Sequence, residues 1–258
     1  MKRVVVTGAG GGIGAALARR FAADGARVLV SDLDAAAAAA VAAEIGGRSV
    51  PADAADEDDT RRLIDTAFTE LGGVDLFCSN AGVLTAGDEN TPDAAWTRDF
   101  AVNVLSHVYV TRHLLPRWLD RGEPKRLLVT VSAAGLLSIL GSASYAVTKH
   151  GALAYAEWLR ATYAHRGLIV QALCPQGVRT DMLTRGGESG SASSTLLADG
   201  ALEPAEVADV AAAAIEGEHF LILPHPEVAD YYQLRAADTD RWLGGMNKMQ
   251  RAFEKGSR

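Results

Sequence analysis

With 258 residues, 48% of them hydrophobic and 22% charged, the chain has the make-up of a soluble globular protein of one large domain. Its net charge of −7, with no long basic run to offset it, excludes the usual nucleic-acid binder. No apolar stretch approaches the ~20 residues of a membrane span, and the basic start Met1-Lys2-Arg3-Val4-Val5-Val6 meets Thr7-Gly8 before a signal-peptide core can form.

In chain order, β-rich runs predict strands near 2–7, 27–31, 48–52, 74–79, 125–131, 168–174 and 219–223. Runs such as Val4-Val5-Val6 and Leu127-Leu128-Val129-Thr130-Val131 are almost continuously apolar, as strands covered on both faces require. Helical patterns fill the gaps near 13–24, 34–45, 56–71, 92–119, 144–166 and 204–216. The alanine run 35–40 belongs to the second helix, because alanine is the best helix former. This alternation predicts an α/β fold: a single-domain, Rossmann-type doubly wound parallel sheet of seven strands with helices on both faces. Residues 184–200, rich in Gly and Ser, read as a long loop of the kind that forms a lid. From Pro224 onward, Tyr231, Tyr232, Trp242, Met246 and Met249 lie in a helical setting and need a surface to pack on. Cys78 and Cys174 match no metal or disulfide spacing and are expected to be buried thiols of a reducing cytosol, which implies a cytoplasmic protein.

Three places carry chemistry. Thr7-Gly8-Ala9-Gly10-Gly11-Gly12-Ile13-Gly14 follows the first strand and opens the first helix. Glycines there let the backbone approach a pyrophosphate, and the helix N-terminus offers it free N–H groups. Asp32 ends the second strand, where a carboxylate can accept from both ribose hydroxyls and repel a 2′-phosphate. It competes with an ordinary helix-cap role, which falls to Asp34. Asp53, at the end of the third strand, fits either an adenine contact or a turn. Tyr145 and Lys149 are one helical turn apart, so a phenol and an ammonium can share one volume. The cation is expected to bring the phenol, of ordinary pKa roughly 10, toward the working range of a base.

Taken together, these residues resemble the short-chain dehydrogenase/reductase family over residues 2 to about 182. The pattern T-G-x-x-x-G-x-G matches Thr7, Gly8, Gly12 and Gly14, and Ser79-Asn80-Ala81-Gly82 matches N-N-A-G with serine first. Ser132, thirteen residues before Tyr145, and Asn103 on the long helix complete the set. The resemblance implies four catalytic residues: Tyr145 as base, Lys149 as its partner, Ser132 as the donor to the substrate oxygen and Asn103 in a proton relay. It implies a dinucleotide site at Gly8, Gly10, Gly12, Ile13, Gly14, Asp32, Leu33, Asp53, Ala54, Asn80, Ala81, Gly82, Tyr145, Lys149, Pro175, Gly177, Val178 and Thr180. The halves are then 1–125, mainly dinucleotide-binding, and 126–223, catalytic, with a substrate lid at 181–200 and a helical extension at 224–258. Gln176 stands where the family has glycine, and Pro224-His225-Pro226 replaces the usual C-terminal ending.

The expected activity is NAD-dependent interconversion of a secondary alcohol and a ketone. The greasy segments Leu136-Leu137, Ile139-Leu140, Met182-Leu183 and Leu196-Leu197 fit a bulky lipophilic substrate such as a steroid, terpenoid or aryl alkyl carbinol. Ala134, Leu140, Gln176, Met182 and Leu183 are the candidate substrate contacts. The histidines share no metal spacing with carboxylates or cysteines, so no metal is expected. By resemblance, the 92–119 and 144–166 helices form the surface of a homodimer or homotetramer. Two competing activities are a 3-oxoacyl thioester reductase and a non-catalytic NAD-binding sensor. Asp32 argues against the first, and the intact Ser132, Tyr145 and Lys149 argue against the second.

Overall fold

The strand sequences alternate in which face they bury, and this decides the layering. Val4, Val6, Val28 and Val30 face one apolar cluster, while Val5 and Leu29 between them face the other. A computed structural model, describing residues 2–120, 122–188 and 200–256, shows seven parallel strands in the order β3-β2-β1-β4-β5-β6-β7. They are β1 (Arg3–Thr7), β2 (Arg27–Asp32), β3 (Arg48–Pro51), β4 (Leu76–Ser79), β5 (Lys125–Thr130), β6 (Leu168–Leu173) and β7 (Leu221–Ile222). The order reverses between β1 and β4, and at such a switch point the strand C-termini open a crevice.

One face is covered by α1 (Gly12–Ala23), α2 (Ala35–Glu44) and α9 (Pro204–Ile215), through Leu17, Phe21, Val41, Val207 and Ile215. The other is covered by α3 (Glu57–Leu71), α5 (Ser106–Trp118) and α7 (Ala143–Tyr163), through Leu63, Ile64, Leu114, Trp118 and Leu159. Asp34 caps α2 by accepting from Ala36 N and Ala37 N at 2.9 and 3.0 Å, which leaves Asp32 for other work.

Several boundaries differ from the sequence expectation. The long helix over 92–119 is three pieces: α4 (Asp93–Phe100), a π turn (Ala101–Leu105) and α5. The π turn holds Asn103, and an inserted residue of this kind re-aims the helix at functional sites. A four-residue helix, α6 (Ala134–Leu137), follows Ser132, and its shortness leaves no periodicity to read. The expected lid begins as helix α8 (Asp181–Glu188) rather than loop, and Leu196-Leu197 lie outside the described residues. The tail forms α10 (Glu227–Ala237) and α11 (Thr239–Gly256). It docks on the body: Val228 is wholly buried, and Tyr232 and Trp242 pack on the cluster beneath α5 and α7. Among the described residues no helix is long and apolar enough to cross a membrane.

Candidate active site

The C-terminal ends of the strands open into a continuous cleft of about 1140 Å³. At one end lies the glycine loop. Gly11 caps α1 without a side-chain hydrogen bond, so the first N–H groups of that helix face the cleft uncapped. Gly14 is packed so tightly that a Cβ there would lie 2.1 Å from Gly8 O, and only glycine fits. Asp32 Oδ2 accepts from Gly10 N at 2.9 Å and Oδ1 from Asp34 N at 3.0 Å, so this carboxylate also braces the loop. Gly10 itself is absent from the cleft lining, because its N–H is turned onto Asp32. Asp53 lines the cleft while its Oδ1 accepts from Ala55 N at 2.8 Å, so its turn role is built in. Gly8, Gly12, Ile13, Leu33, Ala54, Asn80, Ala81, Gly82, Pro175, Gly177, Val178 and Thr180 also line it.

Asn80 ties the strand ends together. Its Nδ2 donates to Thr7 O at 3.0 Å, and its Oδ1 accepts from Thr130 Oγ1 at 2.9 Å. Ser79, in the place of the family's first asparagine, pairs at 2.7 Å with Nδ1 of the wholly buried His107. Burial and the nearby Lys149 charge push His107 down to about 3, so it is neutral at physiological pH.

At the other end, β5 leads through Val131 to Ser132. Its Oγ accepts from Ala134 N at 3.1 Å and donates to Pro175 O at 3.4 Å, which fixes it at the cleft wall. Tyr145 and Lys149 follow on α7, 8% and 3% exposed, with Lys149 Nζ 5.6 Å from the phenol ring centre. Lys149 Nζ donates to Thr130 O at 3.0 Å. Burial raises the Tyr145 phenol above its ordinary value, with the Ser132 hydroxyl pulling the other way. Burial likewise lowers Lys149 to about 8. Burial is the largest influence on the phenol, and Lys149, expected to bring it down, stands 5.6 Å from its ring centre.

Asn103 is brought near but not into the cleft. Its Oδ1 accepts from Val83 N at 2.9 Å, and its Nδ2 donates to Val83 O at 2.9 Å and Thr148 Oγ1 at 3.0 Å. Its side chain holds the β4 loop against α7. Gly82 separates the two groups: a Cβ there would lie 3.3 Å from both Asn103 Oδ1 and Lys149 Nζ. Among the candidate substrate contacts, Ala134, Gln176, Met182 and Leu183 line the cleft. Leu140 does not; the left-handed turn at Ser138, φ 76°, brings Ile139 to the cleft instead. Leu136 belongs to the core.

Some contributors were missed in the sequence. Asp99 is wholly buried, accepting from Ser144 Oγ at 2.6 Å and Thr85 Oγ1 at 2.8 Å, which anchors the residue before Tyr145. Its place one turn before Asn103 is the only signal. Gly135 is the second: a Cβ there would lie 2.6 Å from Lys149 O, so α6 rests directly on the backbone of α7.

Comparison with known proteins is consistent with this geometry. A family model described as short chain dehydrogenase matches residues 2–189. A 1-deoxy-11-beta-hydroxypentalenate dehydrogenase of Streptomyces exfoliatus is 42% identical over 190 residues, covering 70% of this chain and 69% of the relative. A 3beta-hydroxysteroid dehydrogenase 2 of Eggerthella lenta is 30% identical over 223 residues, covering 81% of this chain and 85% of the relative. Among solved structures, a short chain dehydrogenase/reductase from Burkholderia phymatum in complex with NAD superposes with a TM-score of 0.84 at 28% identity, covering 93% of this chain and 94% of the other.

Proposed function

Because the chain belongs to the short-chain dehydrogenase family, we propose that it interconverts a bulky, lipophilic secondary alcohol and its ketone, using NAD. The observation that carries this reading is the placement of buried Ser132, Tyr145 and Lys149 in the same cleft as the glycine loop and Asp32. The uncapped start of α1 fits a pyrophosphate, and the Asp32 carboxylate beside Leu33 fits an unphosphorylated ribose. A 2′-phosphate would meet that carboxylate, hence NAD rather than NADP. Bound there, NAD supplies the acceptor for the hydride that leaves the carbinol carbon.

The protein's own groups handle the proton and the orientation. Ser132 holds the substrate oxygen by hydrogen bond, and Tyr145 takes the hydroxyl proton as the hydride departs. The Lys149 ammonium beside the ring favours the phenolate of Tyr145, the form that accepts that proton. Leu137, Ile139, Met182 and Leu183 give the substrate end of the cleft an apolar wall. The relatives named for a hydroxypentalenate and a hydroxysteroid support polycyclic alcohols as the substrate class. Pairing of subunits through α4, α5 and α7 is part of the same reading.

The test is Tyr145→Phe, assayed over secondary alcohols with NAD by the appearance of NADH. Turnover is expected to fall by about 10³-fold, while NADH binding by fluorescence changes by less than about twofold. Turnover like that of the unaltered protein would sink the assignment.

A further inference from the structure

We propose that the C-terminal tail is built into the substrate pocket, with Arg235 of α10 as a positioning residue that staples the pocket wall α6 to the helix carrying Tyr145 and Lys149. The inference rests on the reading that the substrate lies between Ser132, Tyr145 and α6.

A helix of four residues cannot hold its own shape, since nucleation is costly and its last carbonyls have no partner within the helix. In α6, Ala133 O accepts from Leu136 N and Leu137 N at 3.0 and 2.8 Å, and Ala134 O from Ser138 N at 3.1 Å. Leu136 O is capped from outside by the Arg235 guanidinium. The same Nη1 lies 3.1 Å from His150 Nε2 on α7. His150 Nδ1 is 2.8 Å from Ala146 O, and a carbonyl only accepts, so Nδ1 carries the proton and Nε2 is the acceptor for Arg235. One side chain of the tail thus joins the wall to the residue next to Lys149.

Both ends of this staple bear on the site. Gly135 lies against Lys149 O, so a shift of α6 shifts the backbone of the lysine. Ser138, directly after α6, holds a left-handed φ of 76° that a side chain rarely adopts, and it lines the cleft. Such a conformation persists only where its surroundings enforce it. The tail also grips the stretch of wall next to the start of α6: His225 Nδ1 accepts from the backbone N of Gln176 at 3.1 Å, Gln176 lines the cleft, and Pro175 O accepts from Ala133 N at 2.8 Å. Val228, wholly buried, fixes α10 between these two contacts. Residues that touch no substrate would therefore set the width of the pocket and decide which alcohol fits.

The experiment uses the full chain with Arg235→Leu, Arg235→Lys and Tyr145→Phe, measuring kcat and KM over a graded panel of secondary alcohols, together with NADH affinity and melting temperature. Arg235→Leu is expected to raise KM for the best bulky alcohol by about tenfold and to compress its preference over small alcohols. NADH affinity should stay within about twofold, and Arg235→Lys, which can still donate to Leu136 O, should recover part of the loss. An unchanged KM and an unchanged ranking would overturn the proposal. So would a parallel fall of NADH affinity, melting temperature and KM performance, which marks a merely structural arginine. If Tyr145→Phe retained turnover, the site reading itself would fail. Loss of turnover there with a silent Arg235→Leu defeats the staple alone.

Discussion

Tyr145 and Lys149 are buried at the cleft wall, where desolvation pushes each toward its neutral form. The shift of Lys149 to about 8 from an ordinary 10.5 is a statement about stability as well as chemistry. Below pH 8 the ammonium is charged in both the folded and the unfolded chain, and burying it costs folding free energy. Between about pH 8 and 10.5 the unfolded chain binds the extra proton, so that cost is relieved as pH rises. Lys149→Met should therefore abolish turnover yet raise stability at pH 7 by about 1 kcal/mol net, the lost bond to Thr130 O offsetting part of the gain. Thermal melts at pH 7 and pH 10 check this; the advantage should shrink at the higher pH. Asp32 braces Gly10 N and, in the proposed reading, also faces the ribose, so Asp32→Ala should weaken both cofactors. The NAD-to-NADP ratio of kcat/KM isolates the second duty and should fall by more than about tenfold. Both residues were legible in the sequence because their chemistry depends on local spacing. The direction of the Tyr145 shift was not, since burial is a property of the packed chain.

The sheet is tied at its N-terminal edge by Asp75, which pairs with Lys125 Nζ at 3.1 Å and accepts from Arg3 Nε at 3.0 Å. Those residues open or adjoin β1, β4 and β5, so one carboxylate holds three neighbouring strands. Burial alone would raise the Asp75 pKa, but the hydrogen bonds from Arg3 and Lys125 override it and hold the carboxyl well below its usual range. Its stabilising effect is present above the ordinary carboxylate pKa and lost as pH falls through the depressed one. Asp75→Asn should cost about 2 kcal/mol at pH 7, measured by denaturant unfolding, with a smaller difference in acid. In α6, Gly135→Ala should force α6 off Lys149 and lower both stability and turnover, the former by about 2 kcal/mol. A melt and a kcat measurement on the same sample test it. The seven strands were readable as β-rich runs, several of them almost continuously apolar, but α6 and the π turn were not. Four residues carry no period, and one extra residue in a helix leaves the apolar pattern on either side intact.

For the whole molecule, the outer face of α7 exposes Trp158 at 53%, flanked by Tyr155 at a ring distance of 6.1 Å. An aromatic of that size left half in water is expected to be covered by a second subunit. Trp158→Asp should shift the protein toward monomer in light scattering after size exclusion, and an unchanged mass would remove α7 from the interface. The tail shows how far sequence reasoning reaches at this scale. Its aromatic residues announced that it packs on something, and its order along the chain could not say on what. The sequence alone determined the alternation of strands and helices, the glycine loop after β1, the carboxylate that ends β2, and the Tyr145–Lys149 spacing on one helix face. Each depends on residues close together in the chain, where backbone geometry fixes who neighbours whom. Only the tertiary structure decided that Asn103 bonds to Val83, that Gly135 lies on Lys149 and that Arg235 reaches Leu136 and His150. Those contacts join segments distant in sequence, and burial sets their energies, so no local pattern could carry them.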